Sequence, residues 1–329
     1  MSREANLIAV SNFDINHHDY DNFRPSFGKE LVNPFLVELG LGQFDELLGE
    51  FKFDLKKVIV ELAAGTGKFT KNLVDNGWGD DIQKDNLIIV EPSQGMLKSL
   101  QKNFPTINEK NIYKASSYNI PLPDNSADSL IIAQGFHWFA DSTSLKEIYR
   151  VLKPNGTLGL IWNGDCASKV QEVDIKNSQL YNGGSSYYSE LTNKNYSSAY
   201  QMFVDYFSKQ PWAKECADYI YTFDSEVPQY RKLDWKQFLF SDENVYFDMP
   251  SIEQFLLYET ELPKDGVYSY WATRSYITNL PNEKRQEIEH HINDLLDKYV
   301  VDNSYNQNGN LIKPMITQAI ALKSKKKIQ

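Results

Sequence analysis

The stretch "VIVELAAGTGKFT", residues 58–70, sets an apolar run, one acid and a glycine-rich turn back to back. Residues that are apolar at successive positions suit a strand buried on both faces, and the turn Gly65-Thr66-Gly67 stands where that strand should give way to a helix. Backbone N–H groups are exposed there, and no Cβ blocks the approach of a ligand. Working outward, the runs "NLIIVE", "ADSLIIAQ" and "GTLGLIW" repeat the apolar pattern, separated by helical-period segments such as "KFTKNLVDNG" and "SQGMLKSLQKNF". This alternation predicts βαβ units and a doubly wound, mostly parallel α/β sheet. "EIYRVLKPNG" predicts a helix closed by Lys, Pro and Gly in a tight turn into the next strand.

After residue 163 the alternation fails. "GDCASKVQEVDIKNSQLYNGGSSYY" is polar, and "AYQMFVDYF", "WKQFLF" and "SIEQFLLYE" read as short helices or strands of an insertion. The expected division is an N-terminal lid over 1–54, a core over 55–163, a substrate cap over 164–260, and closing helices and a strand over 261–329. "EKRQEIEHHINDLLDKYV" carries Ile288, Ile292, Leu295, Leu296 and Tyr299 on one stripe, which predicts an amphipathic helix. "NLIKPMITQAIALK" predicts a late antiparallel strand returning to the sheet edge.

Composition narrows the function classes. A chain of 329 residues buries a sizeable core, and its formal net charge of −10 disfavours a phosphate-tracking nucleic-acid surface. The basic run "KSKKK", 323–327, reads as a solvated tail. Two cysteines, Cys166 and Cys216, fit a reducing compartment better than a disulfide scaffold. With no h-region in "MSREANLIAVSNF" and no apolar run near the ~20 residues of a membrane span, the expectation is a cytoplasmic protein without membrane partners. The pairs His17-His18 and His290-His291 do not share a helix face, so no metal site is expected. Twenty tyrosines, many beyond residue 180, predict a Tyr-lined surface or pocket. No coiled-coil seam or dimer patch indicates an oligomeric state.

Three ligand classes use a glycine turn between strand and helix. A Walker A loop is rejected, because Gly67-Lys68 is followed by Phe69 and the required earlier glycine position holds Leu62. A dinucleotide fingerprint is weakened: its last position would be Thr70, and the next strand-end acid, Glu91, comes late. The third class is S-adenosylmethionine. "VIVELAAGTGKFT", "IIVEPSQGML", "IPLPDNSADSLIIAQGFHWF" and "IYRVLKPNGTLGLIWN" together resemble the ordered motifs of class I S-adenosylmethionine-dependent methyltransferases with a Rossmann-like seven-stranded sheet. "FRPSF", 23–27, and "GFHWF", 135–139, are similar to the small-molecule branch that includes fungal trans-aconitate and cantharidin-detoxifying methyltransferases.

The resemblance implies roles residue by residue. Glu61 and Ala63 stand where the family has an acid and its first glycine. Glu61, with Gly65, Thr66 and Gly67, would organise the loop and the methionyl end, and Ala63 is tolerable only at negative φ. Glu91 would accept both ribose hydroxyls. Pro92, Met96, Ser116 and Ser117 would face adenine, the two serines standing where an acid is usual, and Gln134 would hold the methionyl end. Arg24 would clamp a carboxylate of cofactor or acceptor. His137 and Trp138 would face the sulfonium, His137 serving as base if the acceptor is a hydroxyl. Tyr20, Trp271 and Arg274, with His137 and Trp138, are the candidate acceptor-binding residues. The expected reaction is methyl transfer to an oxygen of a small molecule, such as a carboxylate. Alternatives left open are a protein or RNA methyltransferase, a catalytically silent S-adenosylmethionine-binding protein and, last, a hydride-transfer enzyme.

Overall fold

The computed structural model describes residues 24–79, 86–224, 227–250 and 252–327. Tyr20 and the pair His17-His18 lie outside the described residues. The chain opens with α1 (Lys29–Glu38) and the hairpin β1 (Gly42–Asp45) and β2 (Glu50–Phe53). The alternating part follows: β3 (Ile59–Leu62), α2 (Thr70–Asp75), β4 (Leu87–Val90), α3 (Gln94–Asn103), β5 (Ile112–Tyr113), β6 (Ala127–Ala133), α4 (Ser142–Val151) and β7 (Leu152–Gly164). Beyond it come β8 (Ser178–Asn182), α5 (Tyr188–Thr192), α6 (Ala199–Ser208), α7 (Pro211–Ile220), α8 (Asp234–Leu239) and β9 (Glu253–Leu262). The chain closes with α9 (Val267–Ala272), α10 (Ser275–Thr278), α11 (Asn282–Tyr299) and β10 (Leu311–Lys323).

The sheet order is β5-β4-β3-β6-β7-β10-β9-β8, eight strands rather than the expected seven. Strands β3 to β7 pair in parallel, whereas β10 runs antiparallel between β7 and β9. The late strand is therefore interior, not an edge, as its burial on both faces requires. The eighth strand, β8, adds in parallel outside β9, so the stretch 164–260 supplies two sheet strands as well as helices. Its polar sequence concealed β8, because an edge strand needs only one paired side.

Period-two side-chain alternation splits the core into two layers. Val60, Leu130, Ile132 and Leu160 meet Leu145 and Ile148 of α4 on one face, and Ile59, Ile89, Ile131 and Ile161 meet Phe35 and Leu36 of α1 on the other. Each such side chain, fully buried, stabilises the fold by about 1.5–3 kcal/mol. Helices α3 and α4 are capped: Ser93 Oγ accepts from Met96 N at 3.1 Å, and Asp141 Oδ1 accepts from Thr143 N at 2.9 Å.

The basic run at 323–327 is docked through its backbone and Lys326, while Lys323, Lys325 and Lys327 remain exposed. Lys323 ends β10, Lys325 N donates to Tyr246 O, and Lys326 Nζ donates to Tyr149 O and Leu152 O at 2.7 Å each. An ammonium there satisfies carbonyls that α4 leaves open at its C-terminus. The predicted amphipathic helix is α11, with Ile288, Ile292 and Leu296 buried. Among the described residues, no helix is long and apolar enough to cross a membrane, and no cluster of His, Cys, Asp or Glu could hold a metal ion.

Candidate functional site

At the C-terminal edge of β3 the chain reverses through left-handed backbone. Ala63 has φ +58°, Gly65 +59° and Gly67 +93°. Ala63 thus adopts the conformation that the sequence reading held to be tolerable only for glycine, at a cost of about 1 kcal/mol or more. The turn holds it there, Ala63 N donating to Val90 O at 2.7 Å. Gln134, at the end of β6, is left-handed too, with φ +61°. Backbone strain of this kind gathers where a binding surface imposes the local geometry. Gly67 has a second reason for being glycine: a Cβ there would stand 2.5 Å from Phe104 Cε2.

The turn borders an open cavity of about 950 Å³ at the carboxyl ends of the parallel strands, where doubly wound sheets gather ligands. Ala63, Gly65, Thr66, Glu91, Pro92, Met96, Ser116, Ser117, Gln134 and Trp138 line it. Gly65, facing open space, lets its amide donate to Glu91 Oε2 at 3.0 Å, while Ser93 N donates to Oε1 at 2.8 Å. Glu91 is thereby fixed in orientation, and a carboxylate has about four lone-pair sites with which to take further donors.

Three expected members, Arg24, Glu61 and Gly67, do not border the cavity. Gly67 lies behind the turn against Phe104, and Glu61 is fully buried beneath it. Glu61 Oε2 accepts from Thr70 Oγ1 at 2.7 Å, while Oε1 has no hydrogen-bond partner among the described residues. Through that bond Glu61 braces the start of α2. Burial pushes its pKa up to about 8 from the ordinary 4.5. The neutral acid is thus the folded form, and stability falls as pH climbs from the unfolded value toward the folded one. We expect Glu61→Gln to melt with the parent protein at about pH 4 and increasingly above it from there to about pH 8. Thermal melts across this range check it; equal melting at the alkaline end would mean Glu61 is not a buried neutral acid.

A second chamber, of about 1010 Å³, adjoins the first and shares Phe27, Lys68, Gln134 and Trp138 with it. Arg24, Arg231 and Arg274 border this chamber, and Asp165 forms its floor. Asp165 is buried and ion-paired with Arg274; it accepts from Tyr221 and, at 2.7 Å, from Tyr270, and Lys313 Nζ lies 3.8 Å away. Burial alone would raise its pKa. Lys313, the two tyrosine hydroxyls and Arg24 outweigh that and hold the carboxyl below its usual range. The Arg231 guanidinium pairs with Asp224 and lies 3.8 Å over the Tyr221 ring.

Among the candidate acceptor residues, His137, Trp138 and Arg274 border the second chamber, but Trp271 does not. Trp271 is fully buried beneath it, stacked under Arg274 and Lys313. Arg274 sits at the break between α9 and α10, not within one helix, and this break turns its guanidinium inward. His137 is half-buried in the chamber wall, and desolvation pulls its pKa down to about 3, so the imidazole is neutral at physiological pH. Its Nδ1 and the Tyr276 hydroxyl, both in this wall, have no partner among the described residues. Burial likewise pushes the Cys166 thiol up to about 12, which leaves it inert. The sequence reading missed Asp165, Tyr221, Arg231 and Lys313; a charged residue inside the apolar run "LIKPMITQAIAL" was the one available signal.

The first cavity fits the group that the motifs imply. A glycine amide, a strand-end carboxylate and an apolar wall with two hydroxyls border it, and the turn offers a cradle with no Cβ in it. Residues 60–160, from β3 into β7, match the family model described as "Methyltransferase domain". A methyltransferase-like protein of Schizosaccharomyces pombe, named as uncharacterised, is 38% identical over 48% of this chain and 54% of its own length. A second S. pombe methyltransferase is 37% identical over 44% of this chain and 49% of its own. A solved S-adenosylmethionine-dependent methyltransferase of Aquifex aeolicus matches at 25% identity and a TM-score of 0.29, over 39% of this chain and 66% of that one. The chain spans about half the length of the curated relatives it matches.

Proposed function

We propose that this chain, which carries a class I S-adenosylmethionine-dependent methyltransferase domain in residues 60–160, methylates a carboxylate oxygen of a small organic acid. The second chamber supports this reading. Four cationic side chains, Arg24, Lys68, Arg231 and Arg274, border it against a single carboxylate, Asp165, where it joins the cofactor cavity at Gln134 and Trp138. Asp165 answers Arg274 and Asp224 answers Arg231, so the support for an anionic acceptor is the gathering of guanidinium groups, whose shape matches a carboxylate. The likeness of "FRPSF" and "GFHWF" to the small-molecule branch points the same way, as does a concave chamber lined by aromatic rings and a few charged groups.

When bound, S-adenosylmethionine supplies the methyl group and a sulfonium leaving group. Glu91 would hold its ribose diol, Pro92, Met96, Ser116 and Ser117 its adenine, and Gln134 and Arg24 its methionyl end. Arg24, Arg231 and Arg274 would orient the acceptor, with the Tyr276 hydroxyl and His137 as further polar contacts. Phe27 and Trp138, on the wall common to both chambers, would exclude water. In this division residues 55–163 hold the cofactor, and segments 164–260 and 261–329 build the acceptor chamber. Orientation and water exclusion are the main protein contributions to an in-line displacement. A carboxylic acid, with a reference pKa near ~4, is already ionised at neutral pH and needs no base.

The decisive experiment is label transfer from S-adenosylmethionine to panels of carboxylic acids and alcohols, with alkaline lability marking a methyl ester. Transfer to alcohols alone would sink the proposal. Because His137 is neutral, kcat/KM should stay flat between about pH 6 and pH 8. A limb near pH ~6.5 that disappears in His137→Asn would instead identify a general base and a hydroxyl acceptor.

A further inference from the structure

One side chain ties together walls of both chambers. Asn163, the last residue but one of β7, donates through Nδ2 to Pro25 O at 3.1 Å and Ser26 O at 3.3 Å, 138 and 137 positions away in sequence. Its Oδ1 accepts from Thr317 Oγ1 of β10 at 2.6 Å, and its backbone carbonyl accepts from Gln134 Nε2 at 3.1 Å. One residue therefore joins the interior of the sheet, the left-handed Gln134 and the segment 24–27.

That segment lies outside helix and strand, yet it crosses the join: Arg24 and Pro25 border the second chamber and Phe27 borders both. Irregular backbone holds a position only where its polar groups find partners. Three successive carbonyls here are taken by two asparagine amides, because Asn72 of α2 donates through Nδ2 to Phe27 O at 3.0 Å. The Phe27 ring meets Phe69 edge-on at 5.5 Å. Asn72 pins the cofactor end of the strap, and Asn163 pins the acceptor end.

We infer that Asn163 is a positioning residue that fixes the strap 24–27 across the junction of the two chambers and so sets the affinity for the acceptor. The kinetic half of this inference rests on the methyl-transfer reading; the order of the strap does not. Asn163→Asp is nearly isosteric and keeps the acceptor for Thr317, but it turns a carboxylate oxygen toward two carbonyl oxygens. Hydrogen exchange of residues 24–28, in protein saturated with S-adenosylhomocysteine, should accelerate by about tenfold or more, with β3 unchanged. The acceptor KM should rise by about tenfold, while kcat and S-adenosylhomocysteine affinity stay within about threefold. Asn163→Ser, which can still meet Thr317 but cannot reach the strap, should behave alike and covers the case in which the aspartate variant fails to fold. Strap exchange at the parent rate in a folded variant would overturn the inference. So would acceleration shared equally by β3, which would assign Asn163 to general stability, or an unchanged KM beside a loosened strap. If the parent protein turns over no acid at all, the methyl-transfer reading fails while strap exchange still decides the role of Asn163.

Discussion

Replacing Glu91 with alanine should weaken S-adenosylhomocysteine binding by at least about 100-fold, or roughly 2.7 kcal/mol. The carboxylate is nearly buried, and its two oxygens already take Gly65 N and Ser93 N. A bound nucleoside would add hydroxyl donors to the same group, and each hydrogen bond to a charged partner contributes about 1.5–3 kcal/mol. The substitution removes these contacts and also the brace that shapes the turn at Gly65. Glu91→Gln should fall close behind, since its amide nitrogen must face one of the two backbone N–H groups. Calorimetric titration beside thermal melts separates lost affinity from lost fold. Unchanged affinity in a folded Glu91→Ala protein would mean that the glycine turn does not hold the cofactor, and the methyl-transfer reading would go with it.

The second large effect lies under the other chamber. Asp165→Ala should cost about 3–5 kcal/mol, because it strips the shared counterion from two buried cations, Arg274 and Lys313. Lys313 is fully enclosed, and burial already lowers its pKa against the pull of Asp165, so it has little solvent to fall back on. For a chain of this size the melting temperature should drop by about 5 °C or more. Adding Lys313→Met should return part of the loss, since an apolar side chain of similar length leaves no charge to compensate. The pH dependence carries a sign. The Asp165 carboxyl is held below its ordinary 3.8, so its stabilisation is present above that value and disappears as pH falls through the lower, folded one. The parent protein should therefore lose stability on acidification below about pH 4, and Asp165→Ala should lack that part of the loss. A single variant within about 1 kcal/mol of the parent would show that the cluster is solvated rather than buried.

The cofactor cavity was legible residue by residue because it is built from local signals. The ends of β3, β4 and β6 carry Ala63, Glu91 and Gln134, and parallel pairing through right-handed crossovers brings such ends to one edge. Met96 follows from the helix that Ser93 caps, and Ser116 and Ser117 from the turn after β5. Two members of the same motif stand off the cavity for one reason. Glu61 and Gly67 were placed at the ligand by their position in the chain, but the chain's path through the turn sends one side chain beneath the loop and sets the other against Phe104. For Ala63, a left-handed φ is imposed by the surrounding turn and cannot be read from the identity of the residue.

The alternating α/β core with strands buried on both faces, the glycine turn and the class of ligand that suits it were all legible in the sequence. All of these follow from short-range periodicity and from residues close together in the chain. Long-range packing alone assembles the second chamber, where Arg24 and Arg274, expected from the sequence, meet Asp165, Tyr221 and Arg231, which were not. Arg24, Asp165, Tyr221, Arg231, Arg274 and Lys313 come from segments up to nearly the whole chain apart. Their meeting depends on β10 inserting between β7 and β9, and on a helix break that turns Arg274 inward while Trp271 goes to the core. Burial, which sets the charge state of His137, Glu61 and Asp165, exists only once those distant segments have closed around them.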